Sequence, residues 1–139
     1  MGQQQLLLII LGVIVVGIAV AVGITMFQDN AVSANRDAVV NDLVNLSARA
    51  QQFYRRPSSL GGGQNSFLGL NTNGISKLVN VPTSATSWTN SNGTYNVVSA
   101  TDSNVIVKGT GTEVGNDGTA KVSVTMTIKA TTTITTVNN

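Results

Sequence analysis

The sequence predicts an α+β fold: a long N-terminal α-helix, apolar and then amphipathic, packed on a C-terminal antiparallel sheet of about four strands. Three observations lead there. Leu6 to Phe27 is an apolar run broken only by Gly12, Gly17, Gly23 and Thr25, and no side chain before Asp29 is charged. Val32, Val39, Leu43, Leu46, Ala50 and Phe53 then form a stripe, the last five at 4-3-4-3 spacing, which is the signature of one helix face. Finally, Val122, Val124, Met126 and Ile128 alternate with Ser123, Thr125, Thr127 and Lys129, the period of a strand with one buried and one wet face.

Residues 1–28 form the apolar helix. A bilayer core takes about 20 apolar residues, so the run is long enough to span one. A secretory signal has a shorter apolar region behind basic residues and ends at a small-residue cleavage site, which does not fit. Gln3, Gln4 and Gln5 stand where flanking Lys or Arg would set orientation, so orientation is not encoded there. Residues 29–56 continue the helix, since no Gly or Pro interrupts Ala31 to Arg56. Asp37, Asp42, Asn45 and Arg49 fall on other faces than the stripe. The whole rod would be about 80 Å long at 1.5 Å per residue, and Pro57 ends it. In an assembled state the helix is expected to loosen between Gly17 and Gly23. Each glycine costs about 1 kcal/mol relative to alanine and leaves a gap where rods approach.

Residues 57–85 read as a Gly-rich connecting loop around Gly61-Gly62-Gly63, with a short apolar piece, ISKLVNV, before Pro82. Residues 86–139 read as the sheet. SWT and TYNVVSA flank NSNG, whose Asn92-Gly93 pair signals a type I′ hairpin turn. NVIVKGT follows. Lys121 to Val137 is expected to be the longest strand, with Val122, Val124, Met126, Ile128, Ala130 and Ile134 on one face, of which the Val122–Ile128 part meets Val39, Leu43, Leu46 and Phe53. Seventeen extended residues would reach about 57 Å, so the Thr-rich end should bend or reach a neighbour.

Composition narrows the chemistry. The net charge of +2 comes from only eight basic and six acidic side chains, with no basic patch or reading motif, so nucleic acid is not an expected partner. Cysteine and histidine are absent, which excludes disulfides, thiolate zinc, covalent haem and histidine acid–base catalysis. All but one of the threonines lie at or after Thr72, a polar, weakly charged composition common on exported surfaces. The glycine triplet lacks the Gly-Lys-Ser/Thr of a phosphate loop, and GTGTEVG has the wrong spacing for a dinucleotide fingerprint, so it reads as a strand end. Asp117 in GNDG reads as a turn residue; a calcium site would need more carboxylates. Phe27 and Phe53 lie about 39 Å apart along one helix, too far for electron transfer within a rod. No enzyme, cofactor or metal site is expected. Asn45 and Asn92 sit in glycosylation sequons, and Asn92, at a turn, is the more accessible candidate.

A neutral apolar half-helix, an amphipathic second half and a C-terminal antiparallel sheet together resemble the type IV pilin and pseudopilin superfamily. As architecture the resemblance covers the chain; its specific motif covers about residues 1–27. It implies a single-span precursor in the inner membrane, extracted by a pilus assembly machinery and stacked with identical copies into an extracellular filament used at the cell surface, for instance in adhesion. It further implies that Gln3, Gln4, Gln5, Gly12, Gly17 and Gly23 lie in the filament core. That family's leader would be cut just before Met1, or be lacking here. With Met1 as the mature first residue, Gln5 falls where the family usually has a glutamate. No proline interrupts the apolar helix and no cysteine pair closes the last loop, both departures from the family. Alternatives are a pseudopilin of a secretion machine and a single-span surface adhesin or receptor domain.

Overall fold

The computed structural model describes residues 2–71, 73–82 and 84–139. Helix α1, Gly2–Arg55, has 54 residues and is about 80 Å long. It runs unbroken through Gly17 and Gly23, so the loosening expected there is not present in the single chain. Nothing lies within 4 Å of the Cβ position at Gly12, Gly17 or Gly23, so no neighbour forces the helix open. The roughly 1 kcal/mol that each glycine costs is paid without breaking backbone bonds.

The chain then doubles back over the end of α1. The N–H groups of Gly63, Gln64 and Asn65 bond to the carbonyls of Phe53, Arg56 and Tyr54 at 2.7, 3.0 and 2.7 Å. Carbonyls at a helix C-terminus lack partners within the helix, and this loop supplies them. Residues 57–85 are therefore more than a connector, contrary to the sequence reading. They form two 3₁₀ turns, Ser58–Leu60 and Leu68–Leu70, and helix α2, Gly74–Val79. Phe67, Leu70, Ile75 and Leu78 from this segment are buried, and Phe67 packs against Tyr54 with ring centroids 4.6 Å apart.

The sheet has five strands: β1 Ser87–Thr89, β2 Gly93–Ala100, β3 Asn104–Val114, β4 Lys121–Lys129 and β5 Thr133–Val137. It is an antiparallel meander in sequence order. The fifth strand arises because the expected single strand from Lys121 to Val137 turns back, closed by Lys129 N–H on Thr132 O at 2.8 Å. The longest strand is consequently β3, with 11 residues against 9 in β4. The turn also takes Ile134 off the core face, where it is 53 % exposed. Its partner in the ladder is Thr127, on the outer side.

The core forms where α1 crosses the sheet. All six stripe residues, Val32, Val39, Leu43, Leu46, Ala50 and Phe53, are buried in one cluster with Val122, Val124, Met126 and Ile128, as the alternation requires. Tyr95, Ala100, Val105 and Val107 join it from β2 and β3, as do Phe67, Leu70, Ile75 and Leu78 from the segment before the sheet. Full burial of side chains such as Leu43 stabilises by about 1.5–3 kcal/mol each.

Candidate assembly surface

Two polar side chains on α1, seven residues apart and so on one face, fix the rod to the sheet. Asp42 Oδ2 accepts three hydrogen bonds: from Tyr95 Oη at 2.6 Å, Asn90 Nδ2 at 2.8 Å and Asn92 Nδ2 at 2.9 Å. Asn35 Oδ1 accepts the backbone N–H groups of Thr112 at 3.1 Å and Glu113 at 3.3 Å, while its Nδ2 donates to Asn92 O at 2.9 Å. Burial opposes ionisation of the Asp42 carboxyl, but the three donors outweigh it and hold the carboxyl below its ordinary range. Burial first, and then the adjacent Asp42 carboxylate, push the Tyr95 hydroxyl in the opposite direction, well above its usual range.

Asp42 was assigned from the sequence to a face away from the stripe, and the structure corrects that. Arg49 is likewise engaged, its Nη1 donating to Leu78 O at 2.9 Å; Asp37 and Asn45 are exposed, as expected. The turn at Asn92-Gly93 is not type I′, since neither residue has positive φ. Asn90 Oδ1 instead takes the N–H groups of Asn92 and Gly93 at 2.9 and 3.0 Å, and Asn90 N–H closes the loop on Gly93 O at 2.9 Å. Asn92 is half-buried, and the Nδ2 that a glycan would occupy faces Asp42. Asp117 shapes its turn as read, its Oδ1 accepting from Thr119 and Ala120 N–H, both at 3.0 Å.

The glycines of the GTG segment explain how close the rod can come. A Cβ on Gly109 would sit 2.7 Å from Val39 Cγ1, and one on Gly111 would collide with Asn35 Oδ1. These glycines are the price of a polar clamp against a strand surface. Spacing alone marked them as a strand end; their pairing with Asn35 and Val39 was a tertiary feature.

Below the clamp, α1 leaves the head. Every large apolar side chain from Leu6 to Phe27 is more than half exposed, Phe27 by 77 %. The most apolar 18-residue window of α1 has a mean hydropathy of 3.2 and none of it is buried. This is one helix long and apolar enough to cross a membrane. Gln3, Gln4 and Gln5 are exposed in its first turns, and Gly12, Gly17 and Gly23 open gaps that no atom of the subunit fills. The sequence-assigned core residues therefore lie together on one free half-rod, while the helix-to-sheet set lies in the head.

Where rod and head meet, Phe27, Asp29, Val32, Glu113, Val114 and Asn116 line a cleft of about 690 Å³. Among the described residues no cluster of His, Cys, Asp and Glu has metal-binding geometry. No protein-family model, curated protein or solved structure matches the chain.

Proposed function

We propose that the chain is the structural subunit of a helical, extracellular filament resembling a type IV pilus, held in the inner membrane as a single-span precursor before assembly. The observation that carries the reading is the exposed half-rod from Leu6 to Phe27, rigidly continuous with a half-rod docked in the head. Sixteen large apolar side chains stand in the open there, and water does not tolerate a patch of that size on a folded protein. Lipid covers it in a precursor, and other rods cover it in a filament. The three glycine gaps favour rods, because small residues let helix backbones approach closely. The long, uninterrupted helix also suits packing between copies; a plain tether needs no such stiffness.

A single-span surface domain is the second reading, favoured by the high hydropathy of the same segment. Electron microscopy of sheared cell-surface material, with mass spectrometry of the same fraction, separates the two. Regular filaments containing this chain are expected. Recovery of the chain only as detergent-extracted monomers from the membrane fraction would overturn the filament and leave the anchor.

A further inference from the structure

The few charges of this protein are sorted along the rod. At the foot of the head, Asp29 and Glu113 line the cleft beside Phe27, and Asp117 lies in the turn just beyond. At the far end, Arg49, Arg56 and Lys77 line a second groove of about 390 Å³ beside Phe53 and Gly61, with Arg55 adjoining. Opposite charges sit near both ends: Arg36, two turns above Asp29, and Lys121, across the ladder from Val114, at the foot, and Asp102, bonded to Ser66, at the far end. Asp29, Glu113 and Asp117 still outnumber the two cations at the foot, and four cations outnumber Asp102 at the far end.

Asp29 and Arg55 are 26 residues apart on one continuous helix, a separation of about 39 Å. A rigid rod cannot bring its own two ends together. Complementary patches at opposite ends of one body make a heterologous contact, which propagates through copy after copy instead of closing a dimer. Both patches also have an apolar neighbour, Phe27 and Val32 at one and Phe53 at the other.

We infer that the acidic face around the cleft of one copy packs against the basic face around the groove of a second copy, displaced along the filament by roughly 30–40 Å, the distance between the two ends at 1.5 Å per helical residue. This rests on the filament reading and adds to it the contact that sets how far one head is advanced on the next. Like-charge contacts are penalised as strongly as opposite ones are favoured, so the pairing also rejects copies stacked in the wrong order.

Charge reversal in the full-length chain tests it. Arg55→Glu with Arg56→Glu changes one end; Asp29→Lys with Glu113→Lys changes the other. All four side chains are exposed, and a thermal melt checks that each variant folds. Each double reversal should raise the critical concentration for assembly about ten-fold, and the combined quadruple variant should return to within about two-fold of wild type. Because the chain has no cysteine, Arg56→Cys with Glu113→Cys offers a clean second readout. Oxidised filaments of that variant should give a ladder of linked chains, and either cysteine alone should not. Wild-type filaments whose assembly is indifferent to reversal, or whose losses are not rescued by the combination, overturn the pairing and leave the filament reading standing. Failure of the wild-type chain to form filaments removes both.

Discussion

Replacing Asp42 with alanine should loosen the head from its rod by about 3 kcal/mol. The magnitude follows from what the carboxylate holds. Tyr95 is fully buried, so its hydroxyl would lose its 2.6 Å partner, a loss of about 1–3 kcal/mol. Asn90 and Asn92 are half-buried and would recover part of their bonding from solvent. Charge-assisted bonds contribute about 1.5–3 kcal/mol each, but the half-buried carboxylate is itself partly desolvated, and removing it returns some of that. Tyr95→Phe should cost about 1–2 kcal/mol, and the double variant should cost about 1–2 kcal/mol less than the sum, as expected for groups in one network. The assay is built in. Trp88 is the only tryptophan, and its ring lies 5.1 Å from that of Tyr95. Denaturant titration of the full-length chain in detergent, followed by Trp88 fluorescence, reports the head alone. The pH dependence has a definite sign. A carboxyl depressed on folding stabilises above the unfolded value near 3.9, and that stabilisation is lost as pH falls through the lower folded value. Asp42→Asn should flatten this acid limb. An Asp42→Ala variant within about 0.5 kcal/mol of wild type, or strictly additive with Tyr95→Phe, would refute the clamp.

Gly111→Ala should destabilise the head by about 1–3 kcal/mol, measured in the same titration, because its Cβ overlaps Asn35 Oδ1. Gly17→Leu should leave that titration unchanged, since its Cβ position is open in the single chain, yet, under the proposed filament, strongly reduce filament yield by keeping rods apart; equal yield would show that the gap is not used. Gln5→Leu should lower filament yield or thermal stability if its amide bonds a neighbouring N-terminus or carbonyl in the core. Unchanged filaments would reduce Gln5 to a spacer. At pH values where carboxylates stay ionised, filament yield should depend weakly on pH, as no titrating side chain lies between Gly2 and Gln28.

The apolar pattern carried the architecture because burial acts through periodicity. Each of Val32, Val39, Leu43, Leu46, Ala50 and Phe53 is where its spacing puts it, and so are Val122, Val124, Met126 and Ile128. The period failed at Ala130, because nothing local distinguishes a strand that runs on through ATTTITTV from one that turns and pairs with itself. Phe67, Leu70, Ile75 and Leu78 were hidden by the glycines around them, which mark flexible chain locally but here let it fold back onto the core. The polar clamp was least legible. Asn35 and Asp42 look like ordinary surface residues of an amphipathic helix, and only the partners, distant in sequence, give them a role. A polar pair at seven-residue spacing beside the stripe, together with the glycines of GTG, was the available signal.

The order in which the chain is made matters for the crossing of α1 over β4. Seventy-five residues separate Phe53 from Ile128, taking 53 from 128. At about 5–20 residues per second, a nascent rod waits roughly 4–15 s before the strand that covers its stripe exists. During that interval the segment around Phe67 to Leu78 is the first to arrive and can shelter the upper part of the stripe near Phe53, with β2 and β3 following before β4. The region the sequence presents as a connector is thus the earliest cover the young rod receives, and its loss should show first as aggregation during synthesis, ahead of any deficit in the finished protein.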